Sequence, residues 1–267
     1  MTTRSRLDRG RADVGVEAGG PVADGGVEAE DPADGGVEAG GAVADGGVAA
    51  TQSFYSRWAD LYDAIATGTP GIGRLRERAV AALGPGRGDV VVDVGWGPGA
   101  PLPSLRERVG SGGTVVGVDF TPGMVDRARG RVRAAGWENV HVVRGDATRL
   151  PVDRADAVFA SFVSGMLAAP ARVVSDWADL VGPGGRLALF DLARSTRVAG
   201  APLNLLFRGL VRASSPPGTG QRHGESPTRV LDRRVAAAHR ALFERCSGVA
   251  HGRAALGFVR ISAGTVD

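Results

Sequence analysis

The sequence is short of several residue types, and each shortage removes a class of protein. Cys246 is the only cysteine in 267 residues, so the chain has no disulfide framework and no thiolate cluster for a metal. No apolar run approaches the roughly 18 residues that span a membrane. The charged first eleven residues have no apolar segment behind them that would make a secretory signal. These absences lead us to expect a cytoplasmic protein.

Lysine is also missing, and charge is distributed unevenly along the chain. Residues 12–50 carry acidic side chains and no basic one, whereas residues 51–267 are net basic. A basic domain is a feature of many nucleic-acid-binding proteins. No RNA-binding motif or aromatic-rich platform accompanies the charge here, so the pattern argues against a nucleic-acid partner.

The acidic segment is a degenerate repeat built on units of the type Ala-Asp-Gly-Gly-Val-Glu-Ala. These units are too short, too rich in glycine and too poor in large apolar residues to bury a face. Such a composition does not offset the entropy lost on ordering. We therefore predict a disordered tail over residues 1–50 and one domain over residues 51–267.

Within the domain, helical and strand patterns alternate. An aromatic stripe at Tyr55, Trp58 and Tyr62 has helical spacing, and an amphipathic helix is predicted from Ile72 to Leu83. Helices are also predicted between runs of buried-strand character. The five predicted strands cover residues 90–94, 114–119, 140–143, 155–162 and 186–191. This alternation is typical of a doubly wound parallel sheet.

The alternation stops after the fifth strand. Residues 192–227 are predicted to form an insertion that contains a short apolar helix over residues 201–211. A helix from Thr228 to Arg245 and two short β runs, near residues 247–250 and 256–261, close the chain as an antiparallel hairpin. The expected fold class is α/β, with a doubly wound, mostly parallel, seven-stranded sheet.

The first predicted strand ends in the alternating glycines Gly95, Gly97 and Gly99. A strand, a glycine turn and a helix N-terminus form a cradle, because backbone N–H groups point outwards and a ligand can approach closely. With Ala100 the spacing fits a dinucleotide fingerprint, and Asp119 stands where a ribose-binding acid belongs. With Asp93 at its start, the same stretch reads Asp-x-Gly-x-Gly-x-Gly.

This second reading resembles motif I of the class I S-adenosylmethionine (SAM)-dependent methyltransferases. Further motifs follow in the family's order, from about Phe54 to the C-terminus. They are Asp119-Phe120, Thr121-Pro122-Gly123-Met124, Gly145-Asp146-Ala147-Thr148-Arg149-Leu150-Pro151 and Leu180-Val181-Gly182-Pro183-Gly184-Gly185. The resemblance implies a Rossmann-like methyltransferase fold with SAM as cofactor.

The resemblance also implies roles for individual residues. Asp119 would bind both ribose hydroxyls, Met124 would pack against adenine, and Asp146 would accept a hydrogen bond from the adenine amino group. The implied cofactor-binding residues are Asp93, Gly95, Trp96, Gly97, Gly99, Asp119, Phe120, Met124, Asp146, Ala147, Ser161 and Tyr62. For Asp93, a carboxylate that stabilises the turn by accepting from backbone amides is an equal alternative.

Trp96 departs from the family, which usually has a small residue between the first two glycines. An indole there must either line the cofactor pocket or crowd it, and its side chain would point towards the donor methyl or towards the sheet below the loop. We expect Trp96 and the helix over residues 201–211 to border one apolar cavity, with Leu206 on its far side.

The segment from Phe54 to Asp63 is similar to the first helix of the ubiquinone/menaquinone C-methyltransferase and phospholipid N-methyltransferase group. Those proteins carry an insertion after the fifth strand that covers the substrate, which implies this role for residues 192–227. The Arg-Asn pair of the quinone enzymes is replaced here by Ser161-Phe162-Val163-Ser164-Gly165. An apolar small-molecule acceptor, such as a quinone precursor or lipid, or a membrane surface would suit Leu203, Leu205, Leu206, Phe207 and Leu210 beside Arg208 and Arg212.

Methyl transfer from a sulfonium needs orientation and a dry pocket more than acid–base chemistry. If a base is required, His223 and Asp191 are the candidates. The four histidines are dispersed, so no metal is expected. Two alternatives stay open: a nucleic-acid methyltransferase or binding module, and a SAM-fold protein that lost catalysis because Trp96 blocks the loop.

Overall fold

The computed structural model describes residues 71–213 and 226–267. Three sequence predictions lie outside the described residues, and the fold neither supports nor contradicts them. They are the tail over residues 1–50, the aromatic segment that contains Tyr62, and the candidate base His223.

Helices and strands alternate through the described residues. In chain order they are α1 (Ile72–Leu83), β1 (Val90–Val94), α2 (Leu102–Val109), β2 (Thr114–Asp119), α3 (Pro122–Ala135), β3 (Val140–Arg144), β4 (Ala157–Ser161), α4 (Pro170–Val181), β5 (Arg186–Leu192), α5 (Asn204–Ala213), α6 (Pro227–Arg245), β6 (Cys246–Ala254) and β7 (Val259–Val266). Short 3₁₀ helices cover Val198–Leu203 and Ala255–Gly257.

The seven strands form one sheet in the order β3-β2-β1-β4-β5-β7-β6. Strands β1 to β5 pair in parallel, and β7 runs antiparallel to both β5 and β6. This confirms the predicted mostly parallel sheet with an antiparallel C-terminal hairpin. The strand order reverses between β1 and β4, where open α/β sheets leave a crevice at their carboxyl edge.

Apolar residues on both faces of the strands explain why β1 to β5 appear in the sequence as nearly unbroken hydrophobic runs. Val91 packs on one face with residues of α1, α2 and α3. Its neighbour Val92 packs on the opposite face with residues of α4 and α6. Each helical layer therefore covers one side of the sheet, and the carboxyl edge is left for a site.

The C-terminal hairpin is longer than predicted, with nine residues in β6 and eight in β7. Its small and polar residues give a weak strand signal, and the pairing of β7 along β5 supplies the order instead. The predicted apolar helix also starts later. A 3₁₀ helix that contains Pro202 precedes α5, which begins at Asn204.

Thr121 directly precedes the first residue of α3. Thr121 has the extended backbone of an N-cap, yet its side chain makes no capping hydrogen bond. Its hydroxyl instead hydrogen-bonds the Asp119 carboxylate. Among the described helices, none is both long and apolar enough to cross a membrane.

Candidate cofactor site

The three glycines after β1 all have a left-handed backbone, with φ of 68° at Gly95, 58° at Gly97 and 89° at Gly99. A Cβ on Gly95 would come within 2.8 Å of the Val163 Cβ, and one on Gly99 within 3.1 Å of the Ala128 Cβ. No atom lies within 4 Å of the position of a Cβ on Gly97. Gly95 and Gly99 thus allow close packing, while Gly97 faces open space in which a ligand can approach the main chain.

Asp119, the last residue of β2, ties this loop to the next strand. Its Oδ2 accepts a hydrogen bond from the Gly97 N–H at 3.0 Å, and its Oδ1 accepts one from the Thr121 N–H at 2.9 Å. Burial raises the pKa of Asp119 to about 6, although these hydrogen bonds favour its charged form. The Asp119 carboxylate thus fixes the glycine loop and lies at the carboxyl end of β2, beside Gly97.

Asp93 lies on β1 and is fully buried, and neither of its carboxylate oxygens has a hydrogen-bond partner among the residues that the structure describes. Burial raises its pKa well above the ordinary value, and the nearby Asp119 raises it further, whereas the positive charge of Arg76 lowers it. A buried carboxylate of this kind is costly unless a cation or donor reaches it. SAM carries two cationic groups, a sulfonium and an ammonium, that could serve here.

A groove of about 740 Å³ runs between α1 and α2 and begins at Ala100, directly after the glycine loop. Arg76 and Glu77 line its α1 side, and Ser104 lies on its α2 side. The first N–H groups of a helix attract a carboxylate. The groove can therefore accommodate the amino-acid end of a ligand whose remainder follows the glycine loop.

The other implied cofactor residues lie along the same carboxyl edge. Met124 is buried in the first turn of α3, and Phe120 is partly exposed beside it. Asp146 is exposed after β3, where its Oδ1 accepts from the Thr148 N–H at 2.8 Å. Ala147 and Ser161 complete the set. The Ala147 carbonyl accepts from Trp177 Nε1 at 2.9 Å, and Ser161 ends β4.

Trp96 points towards the sheet, one of the two directions that the sequence left open. Its side chain is 1% exposed and packs below the loop in the core between the sheet and α2–α3. The groove along α5 is lined by Leu205, Leu206, Gly209 and Leu210, and not by Trp96. The prediction that Trp96 and this helix border one cavity is therefore wrong. The reason is that the left-handed glycines turn the indole down onto the sheet.

Asp191, a candidate base from the sequence, lies near the end of β5 and is 1% exposed. The Ser164 hydroxyl donates to its Oδ2 at 2.7 Å, and His239 Nε2 lies 3.3 Å from the same oxygen. Sequence reasoning missed His239, which is far from Asp191 along the chain. One available signal was that His239 shares a helical face with the apolar residues Val235 and Leu242.

The described residues fit SAM. The loop around Gly97 is open, the buried Asp93 carboxylate has no hydrogen-bond partner among the described residues, and the Asp119 carboxylate lies beside the loop at the end of β2. A dinucleotide would place a pyrophosphate at this loop, and the carboxylates of Asp93 and Asp119 beside it would oppose that charge.

Comparison with known proteins agrees with this fit. Residues 91–185 match a family model described as a methyltransferase domain. The chain is 36% identical over 148 residues to a phosphatidylethanolamine N-methyltransferase of Cereibacter sphaeroides, covering 53% of this chain and 68% of that protein. It is 35% identical over 130 residues to a demethylmenaquinone methyltransferase of a Mycobacterium species, covering 48% and 52%.

Other matches cover smaller shares of longer proteins. An arsenite methyltransferase of Halobacterium salinarum is 34% identical over 127 residues, which are 47% of this chain and 32% of that protein. The chain spans about half the length, or less, of the first curated relatives it matches. Among solved structures, a SAM-dependent methyltransferase from Aquifex aeolicus aligns with a TM-score of 0.54 at 22% identity, covering 79% of this chain and 98% of that one.

Proposed function

The chain belongs to the class I SAM-dependent methyltransferases, and from that premise we propose that it transfers a methyl group from SAM to a small-molecule acceptor. The proposal depends on one observation: Asp119 accepts hydrogen bonds from the N–H groups of Gly97 and Thr121. This residue holds Gly97 in place, and its carboxylate lies at the end of the neighbouring strand, where the ribose would bind.

SAM, when bound, supplies a methyl group already activated by its sulfonium. The protein therefore has to orient the two reactants and exclude water. Gly97 lets the cofactor approach the main chain, Asp119 holds the ribose, and Asp93 offers negative charge to a cationic group. The acceptor would lie over the ends of β4 and β5, next to the sheet's switch point.

For the acceptor, we propose an apolar compound of the quinone-precursor or lipid type. Because Trp96 and α5 do not border one cavity, Trp96 gives no support for an apolar acceptor. The apolar acceptor is supported by helix α5. Its side chains Leu205 and Leu206 are 74% and 73% exposed and line a groove of about 530 Å³. The exposed Arg208 and Arg212 lie on the same helix, a pattern that suits an anionic lipid surface.

Arsenite, the substrate in the name of one relative, fits the chain less well. Arsenic(III) binds thiolates, and the single cysteine, Cys246, is buried with a pKa raised by burial to about 11. A thiol of this kind stays protonated at neutral pH.

The test has a binding arm and a transfer arm on the full chain. Calorimetry measures SAM and NADH binding, and labelled SAM is then offered with 1,4-naphthohydroquinone, phosphatidylethanolamine vesicles or sodium arsenite. We expect SAM to bind and label to reach the hydroquinone or the vesicles. NADH binding in place of SAM would instead support a dinucleotide-binding site at this loop. SAM binding without transfer to any probe would favour a protein that has lost catalysis.

A further inference from the structure

A row of five polar side chains runs from the end of β4 to the outer hairpin, and methyl transfer as described above does not use it. Ser164, Asp191, His239, Ser262 and His251 follow one another at hydrogen-bonding or ion-pair distances. All but His251 are buried. We call these five residues the Asp191 network.

The inner end of the network lies beside the glycine loop. Val163 touches Gly95, since a Cβ on that glycine would come within 2.8 Å of the Val163 Cβ. Ser164 is the next residue, and its hydroxyl donates to Asp191 Oδ2 at 2.7 Å. The network therefore begins at the carboxyl ends of β4 and β5, where an acceptor would meet the cofactor.

The middle of the network is the pair formed by Asp191 and His239. His239 Nε2 lies 3.3 Å from Asp191 Oδ2, close enough for an ion pair but without hydrogen-bond alignment. Catalytic hydrogen bonds are often long in free enzymes and shorten when the reactants bind. The opposite nitrogen, His239 Nδ1, lies 2.7 Å from the Ser262 Oγ.

The outer end couples two histidines through one hydroxyl. The Ser262 Oγ lies 2.7 Å from His239 Nδ1 and 2.8 Å from His251 Nδ1. A hydroxyl has one hydrogen to donate, so only one of these nitrogens can accept from it, and the other must donate to it. Protonation of His239 at Nδ1 thus requires the hydroxyl to turn towards His251, whose Nδ1 must then be free of its proton.

We propose that Asp191 and His239 together take the proton that a hydroxyl or amine acceptor loses on methylation, and that Ser262 couples this pair to His251 at the surface. This inference rests on the proposed methyl transfer and narrows its acceptors to those that carry an ionisable O–H or N–H bond.

The step balances. The methyl–sulfur bond breaks and its electron pair stays on sulfur. The acceptor's O–H or N–H electron pair forms the new bond to the methyl carbon. The released proton goes to the Asp191–His239 pair, which becomes a carboxylate beside an imidazolium. His239 accepts this proton at Nε2, and its Nδ1 proton passes to the Ser262 hydroxyl as that hydroxyl gives its own hydrogen to His251 Nδ1. His251, now an imidazolium, releases its Nε2 proton to solvent.

Charges around the outer end favour this release. Burial lowers the pKa of His251, and the positive charges of His239, Arg253 and Arg260 lower it further. The groups that face the network from the packed elements are Asp232 and Arg234 of α6, Arg253 of β6 and Arg260 of β7. A histidine among these cations holds a proton weakly and passes it to water.

A first experiment needs no acceptor. We expect ¹⁵N NMR of histidine-labelled protein at about pH 8, where neutral imidazoles prevail, to find one of the His239 and His251 Nδ1 atoms protonated and the other not. His239→Gln and His251→Gln assign the signals. Protonation of both Nδ1 atoms would overturn the coupling through Ser262.

A second experiment compares two acceptors that differ in one respect. 1,4-Naphthohydroquinone loses a proton when methylated, whereas thioanisole does not. Ser262→Ala should lower kcat for the hydroquinone by about tenfold or more, without changing its KM or the kcat for thioanisole. Ser262→Thr keeps the hydroxyl and should restore kcat. Ser247→Ala removes a hydroxyl of the same hairpin outside the network and serves as the control.

Equal losses on both acceptors would mean that the network only supports the fold, and an unchanged kcat for the hydroquinone would exclude proton transfer through it. Asp191→Asn extends the test to the inner end of the network, because loss of the base should lower kcat for the hydroquinone alone. If the wild-type protein methylates neither probe, methyl transfer to them fails while the NMR result still decides the coupling.

Discussion

Trp96 lies against Gly117: three of its indole atoms come within 3.2–3.3 Å of the place where a Cβ on this β2 glycine would stand. A residue of the glycine loop and a mid-strand glycine therefore fit together inside the core. The missing side chain at position 117 makes room for the large one at position 96.

From this contact we predict that Trp96→Ala lowers the free energy of unfolding by about 3–5 kcal/mol, because a fully buried indole leaves a cavity. Gly117→Ala should be destabilising in the wild-type chain and much less so in the Trp96→Ala background, where its methyl group finds space. Urea denaturation measures both. Trp137→Ala, which truncates a half-buried indole, is the control and should cost less. A stable Trp96→Ala protein that binds SAM more than tenfold more weakly would instead mean that the indole contacts the cofactor.

A second prediction concerns Asp119 and pH. Its folded pKa of about 6 lies above the ordinary 3.8, so the folded chain holds this proton more tightly than the unfolded chain does. Asp119 therefore contributes less to the free energy of unfolding as pH rises from about 4 to about 6. Only the ionised carboxylate accepts both ribose hydroxyls, so SAM should bind about tenfold more weakly at pH 5 than above pH 7. Calorimetry at several pH values measures this change.

The matched variant for that experiment is Asp119→Asn. We expect it to cost about 1.5–3 kcal/mol of SAM binding through the lost charge-assisted hydrogen bonds, and to remove the pH dependence between pH 5 and 7. Pronounced pH dependence that persists in the variant would assign the titration to another group, such as Asp93.

A third prediction concerns the exposed apolar face of α5. Leu206→Asp should reduce methylation of phosphatidylethanolamine vesicles by about tenfold, because burying a carboxylate against lipid is costly. SAM affinity should stay within about twofold. Val198→Asp changes a residue that is 91% exposed and lies outside the groove, and it should have little effect on either measurement. Unchanged vesicle methylation in Leu206→Asp would remove the support for a lipid-surface acceptor.

A fourth prediction concerns the acidic repeat. Deletion of residues 1–50 should leave the melting temperature and SAM affinity essentially unchanged, since the repeat is too poor in large apolar residues to build a core. Differential scanning calorimetry and titration of both forms measure this. A drop of several degrees in melting temperature would mean that the repeat packs on the domain.

Much of the fold followed from the sequence because its signals are local. Buried parallel strands require long β-branched runs, and β1 and β2 lie where those runs predicted them. Helix α1 has the predicted bounds, Ile72–Leu83, because its apolar spacing and the glycine that follows it are local features. The glycine spacing and the acid at the end of β2 likewise pointed to a nucleotide-type cofactor site.

Side-chain direction and long-range pairing depended on the tertiary structure. The sequence identified an indole between Gly95 and Gly97, but only the left-handed backbone of these glycines determined that it points into the core. It identified Asp191, but the packing of α6 and β7 on β5 brought His239 and Ser262 to it. Periodicity reports which face of an element is buried, whereas contacts between polar groups distant in sequence are fixed only when the elements pack.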